Sequence, residues 1–94
     1  MKRIPIEDSL DIHSFLPRDV PSVVSEYLNE ALRHGLGEVR IIHGKGKGVR
    51  RAEVQRLLRG DSRVAAASDA PPDRGGFGAT IVVLKSGPET RGAR

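Results

Sequence analysis

Ile41-Ile42-His43-Gly44-Lys45-Gly46-Lys47-Gly48 is the stretch on which the fold turns. Two β-branched residues lead a strand to a histidine. Three alternating glycines and two lysines then carry the chain into Val49 to Arg59, where Val54, Leu57 and Leu58 share a helical face. Glycines let backbone N–H groups approach a ligand, and a helix start carries partial positive charge. Strand, glycine loop and helix start together make an anion site, most often for phosphate. His43 adds the side chain whose ordinary pKa suits proton transfer near neutrality.

Upstream, Ser9-Leu10-Asp11-Ile12-His13 alternates apolar and polar residues, which predicts a strand covered at Leu10 and Ile12, with Asp11 and His13 on the other face. Asp19 is the expected N-cap of a helix with Pro21 in its first turn. Val20, Val23, Val24, Tyr27, Leu28, Ala31 and Leu32 recur at helical spacing, and Gly35 is placed to stop it. Glu38 to His43 reads as the second strand, Val64 to Ser68 as a short Ala-rich third, and Asp69 to Gly76 as a polar loop. Ala79 to Leu84 is nearly continuously apolar and should lie centrally. The order is β-α-β-α-β-β: a two-layer α/β domain with both helices on one sheet face. Residues 1–7 read as a flexible basic arm, 8–85 as the domain, and 86–94 as a disordered tail.

With 94 residues and no cysteine, one small domain is expected, without disulfides or thiolate metal sites. Nothing resembles a signal peptide or a membrane-length apolar run, so a cytoplasmic protein is expected, acting as a monomer away from membranes. The formal charge of +4 is unevenly placed. Lys45, Lys47, Arg50, Arg51, Arg56 and Arg59 cluster as for a polyanionic partner, or as a solvated helix face. Aromatics are limited to Phe15, Tyr27 and Phe77, too few for a base-stacking sheet, so recognition should lean on nucleic-acid backbone and shape.

Asp11 and His13 close the first strand and His43 the second. Parallel strands in a β-α-β unit would gather all three at one sheet end, where open α/β sheets bind ligands. For phosphodiester cleavage, one histidine would activate the attacking oxygen and another group protonate the leaving oxygen. The loop N–H groups and Lys45 would stabilise the developing charge. Asp11 would orient a histidine or transiently hold a divalent cation, Mg2+ or Mn2+; no tightly bound cofactor is expected. A histidine at an open strand end contributes little packing, so His43→Ala is expected to leave the melting temperature nearly unchanged. The loop lacks the Ser/Thr of a nucleotide-binding P-loop and does not match the dinucleotide fingerprint. Gly75-Gly76-Phe77-Gly78-Ala79-Thr80 is a second glycine turn, whose Phe77 either meets a base or sugar or anchors the turn.

In this order and spacing the three segments resemble the Smr (small MutS-related) domain: Leu10-Asp11-Ile12-His13 its Leu-Asp-x-His motif, His43-Gly44-Lys45-Gly46 its His-Gly-x-Gly motif, and Gly75 to Thr80 its Gly-Gly-x-Gly-Ala-Thr close. The match covers roughly residues 8–85, as in a stand-alone Smr protein. The resemblance implies the fold of the C-terminal domain of translation initiation factor three, a mixed four-stranded sheet in order 1-2-4-3 with strand 4 antiparallel. It implies DNA or structured RNA as partner, with DNA-nicking or RNA-cleaving activity in several members and plain nucleic-acid or ribosome binding as the alternative. Carried over by position, it makes Asp11, His13 and His43 catalytic. Phosphate or nucleic-acid contacts then fall to Gly44, Lys45, Gly46, Lys47, Gly48, Arg50, Arg51, Gly76, Phe77, Gly78 and Thr80. Two positions depart from the family pattern: Ser14 stands where glycine often follows the histidine, and Arg50 where the second helix commonly starts with an apolar residue.

Overall fold

Strand alternation decides which face of this molecule is covered. The computed structural model describes residues 8–85, and the arm and tail expected at 1–7 and 86–94 lie outside the described residues. The elements are β1 (Ser9–Asp11), α1 (Val20–Arg33), β2 (Glu38–Ile42), α2 (Val49–Arg59), β3 (Val64–Asp69) and β4 (Ala79–Leu84), with single 3-10 turns at Pro17–Asp19, Pro72–Arg74 and Gly76–Gly78. They form one mixed sheet in the order β1-β2-β4-β3, with β4 antiparallel to both of its neighbours. β1 and β2 run parallel, Asp11 opposite Ile42.

Every second strand residue enters one core. Ile12, Val39, Ile41, Val64, Val82 and Leu84 meet Val20, Val24, Leu28 and Ala31 of α1 and Val54 and Leu58 of α2. Both helices therefore cover the same face. On the other face Arg40, Ile42, Ile81 and Val83 remain partly or largely exposed. The apolar run of β4 follows from its central place, since it pairs on both sides and its inner face is sealed. A β-bulge between Val64 and Ala66 resets β3, so that Ala67 stands opposite Val82 and Asp69 opposite Thr80 on the covered side.

Helix α1 ends in a Schellman arrangement: Leu36 N donates to Ala31 O and Gly35 N to Leu32 O, both near 3 Å. Its start differs from expectation. Asp19 occupies the N-cap position but makes no side-chain cap bond, because the preceding 3-10 turn already holds it in helical backbone geometry. Arg63, beside the amino end of β3, donates to Asp61, Ser25 and Asn29 and so ties the α2–β3 turn to α1. The opposite end of the sheet is where β1, β2 and β3 finish and β4 begins, and its loops carry the residues of interest.

Candidate functional site

Asp11 is the last residue of β1, and its outward position leaves the carboxylate exposed. His13 follows in the turn, its side chain 66% exposed. Asp11 Oδ1 accepts two bonds from it, His13 N at 3.0 Å and Nδ1 at 2.5 Å. The backbone bond from His13, then the side-chain bond, hold the Asp11 carboxyl below its ordinary value. A charged carboxylate on Nδ1 keeps the proton on that nitrogen and leaves Nε2 as the basic atom facing solvent.

The turn after β1 is clamped from α2. Arg50 donates to Ile12 O at 3.1 Å and to Phe15 O at 2.9 Å. The residue expected to meet phosphate is thus engaged in fixing the loop that carries His13.

The glycine loop starts beside this turn, because Ile12 N donates to Ile42 O at 2.9 Å. Gly48 is the N-cap of α2, and among the described residues no side-chain bond caps it, which leaves the first-turn amides open toward the loop. Lys45 and Lys47 are exposed. The second glycine turn packs directly on the first: Gly78 O accepts from His43 N at 3.0 Å and Gly44 N at 2.9 Å. The approach is close: a Cβ at position 78 would stand 3.2 Å from Lys45 Cγ, so a larger residue there would have to push that side chain aside.

His43 corrects the expectation of an open-edge histidine. It continues the inward alternation of Val39 and Ile41 and is only 3% exposed, on the covered face, whereas Asp11 and His13 lie outward. All three residues come to one end of the sheet, but only the first two present their side chains to solvent. His43 Nδ1 lies 3.0 Å from Gly44 O, and Nε2 lies 2.9 Å from Thr80 Oγ1. A carbonyl only accepts, so Nδ1 donates and Nε2 accepts the Thr80 hydroxyl proton. Thr80, expected as a nucleic-acid contact, is fully buried by the same alternation on β4. Its oxygen also accepts from Gln55 Nε2 at 3.1 Å.

The chain of bonds continues outward. Gln55 Nε2 donates to Asp69 Oδ1 at 2.9 Å, and Arg51 grips both Asp69 oxygens at 2.7 Å. Those bonds, from Arg51 first and Gln55 second, hold Asp69 down to about 2. Arg51, also expected on phosphate, is thereby paired within the domain, and its guanidinium carbon sits 5.0 Å from the centre of the Phe77 ring. Phe77 is 64% exposed, Gly76 half-buried and Gly78 buried. Neither Gln55 nor Asp69 is among the expected site residues, and Asp69, expected to open the loop, is instead the last residue of β3. Their signal was positional: Gln55 follows Val54 on the inner side of α2, and Asp69 takes an inward register once the bulge is counted.

Among the described residues no three His, Asp or Glu side chains come together as a metal site. Asp11 could contribute one carboxylate to an ion shared with a substrate phosphate, but the residues present do not form a seat for a tightly held one.

A family profile, the Smr domain, matches residues 10–85. The chain is 45% identical over 62 residues to endonuclease MutS2 of Thermus thermophilus, and 40% identical over 80 residues to endonuclease MutS2 of Clostridium botulinum. Those stretches are 66% and 85% of this chain but only 8% and 10% of the relatives' lengths. The crystal structure of the Smr domain of Thermus thermophilus MutS2 superposes with a TM-score of 0.79 at 37% identity, covering 84% of this chain and 99% of that one. YdaL, a stand-alone small MutS-related protein from Escherichia coli, superposes at 0.78 with 33% identity, covering 86% of this chain and 66% of that one. With motifs, topology and family profile in agreement over nearly all the described residues, the chain belongs to the Smr domain family.

Proposed function

We propose that this domain binds nucleic-acid backbones, DNA or structured RNA, across the carboxyl end of its sheet and cleaves a phosphodiester bond there. The observation that carries the reading is the exposed Asp11–His13 pair, at the same sheet end as an uncapped glycine loop. The endonuclease names of the MutS2 relatives support it.

The chemistry follows from the atoms. His13 Nε2 takes the proton of the attacking oxygen, from water or an RNA 2′-hydroxyl, as that oxygen bonds to phosphorus. The bond to the leaving oxygen breaks, and that oxygen is protonated by solvent or by Lys45. Asp11 stabilises the imidazolium formed on His13. The first-turn N–H groups of α2 and Lys45 face the charge that develops on phosphate. His43 is given a positioning role, holding the glycine loop on β4. All the named groups come from one chain, so no second copy is required.

A second reading has one observation in its favour: with His43 buried, a single exposed histidine, His13, remains at this end of the sheet where two were expected. That favours a binding module without chemistry. The deciding assay offers supercoiled plasmid and structured RNA to the purified protein, with and without magnesium or manganese, beside the Asp11→Ala/His13→Ala double variant. Cleavage by the wild type that the double variant loses supports the nuclease reading. Cleavage of neither substrate under any condition replaces it with the binding module.

A further inference from the structure

Phe77 is the most exposed of the three aromatic rings, and the turn that carries it has a tightly specified backbone. Gly75 holds a φ of +115°, and a Cβ there would lie 2.9 Å from Ala79 Cβ, so the turn carrying the ring accepts only glycine at its base. At its other end Gly78 O is bonded to the glycine loop. Arg51 lies against the ring and is itself immobilised by Asp69, which Gln55 holds in turn. The ring lines an open groove of about 310 Å³ whose other walls are Lys45, Ala70, Pro72 and Gly76. A solvent-facing phenylalanine adds little to the core, yet this one sits on a glycine-defined turn bonded to the proposed phosphate loop, with a side-chain-anchored arginine against its ring.

We propose that Phe77 is a stacking platform for an unpaired nucleobase, so that the substrate is nucleic acid single-stranded or distorted at the nucleotide held by the loop. The inference rests on the reading of the loop as a backbone-binding site and specifies its substrate. Aromatic faces accept any base, because every base has a π-face, but a base inside a duplex has both faces covered by its neighbours. The groove has apolar walls for a base, and Lys45, which lines it, belongs to the glycine loop that would take the attached phosphate. Arg51 lies against the ring as a cation, 5.0 Å from its centre, and is not among the residues that line the groove.

The chain contains no tryptophan, so Phe77→Trp installs a single indole at the platform, excited apart from Tyr27 at long wavelength. Three labelled probes are titrated into wild type, Phe77→Trp and Phe77→Ala: oligothymidylate, the same strand in a matched duplex, and an abasic oligomer of equal length. Stacking is worth about 1–3 kcal/mol per base, or roughly 5- to 150-fold in affinity. Phe77→Ala should lose affinity for oligothymidylate in that range while its duplex affinity stays within about twofold of wild type. Phe77→Trp should retain the single-strand affinity, and its fluorescence should be quenched by oligothymidylate but not by the abasic oligomer. Equal losses on single strand and duplex, or equal quenching by both oligomers, overturn the platform while leaving the backbone-binding reading in place. Wild-type protein that binds none of the probes overturns both.

Discussion

Two histidines at one end of a sheet serve different ends because they sit on opposite faces. His13, outward and exposed, is polarised by Asp11 and free at Nε2. His43, inward and buried, spends both ring nitrogens on Gly44 O and Thr80. Truncating it leaves the Thr80 hydroxyl without that partner and a void beside the core. His43→Ala should therefore cost about 2 kcal/mol, lowering the melting temperature by roughly 10 °C. Thermal denaturation followed by circular dichroism checks this, and an unchanged melting temperature would contradict the positioning role. Residue types and spacing were enough to nominate Asp11, His13 and His43, and the alternation from Val39 through Ile41 already marked His43 as inward. What the chain does not print is which buried partner satisfies a polar side chain, so Thr80 read as a surface contact. Arg50 is similar: its charge was visible, but its reach to Ile12 O and Phe15 O depends on how α2 docks against the β1 turn.

At the scale of elements, α2 is held to the carboxyl end of β3 by Arg51 and Gln55 on Asp69. Strand positions and the central place of β4 were legible from periodicity, because burial on one or both faces writes itself into alternation. The tie was not, because the bulge after Val64 shifts the register that brings Asp69 inward. The pair carries a pH signature. Asp69 binds its proton more weakly in the folded domain, near 2, than at the ordinary 3.8 of an unfolded chain. Stability from the pair is therefore complete above about pH 4 and drains away as the pH falls towards about 2. Wild-type melting temperature should fall over that window, and Asp69→Asn should start lower at neutral pH and fall less. An equal acid-induced fall in the variant would place the titration elsewhere, with Asp11 and Asp61 the other depressed carboxyls in the domain.

For the whole molecule, topology concentrates the candidate site residues at one end of the sheet. Three parallel strands deliver β1, β2 and β3 termini there, and antiparallel β4 begins among them, so both glycine turns and the start of α2 converge. The basic cluster is divided by the fold: Arg50 and Arg51 are engaged within the domain, while Lys45 and Lys47 stay exposed beside the loop. On the proposed reading His13 serves the chemistry without holding the backbone, so its loss separates cleavage from binding. The most direct test measures single-turnover cleavage and equilibrium binding of one oligonucleotide by wild type and His13→Ala under identical salt and metal. Loss of general-base participation should slow cleavage about 10²- to 10⁴-fold, while affinity, held by the loop and its lysines, should stay within a few-fold of wild type. His13→Ala protein that cuts at the wild-type rate, or that loses binding in step with cleavage, would contradict the assignment of the Asp11–His13 pair as the catalytic centre.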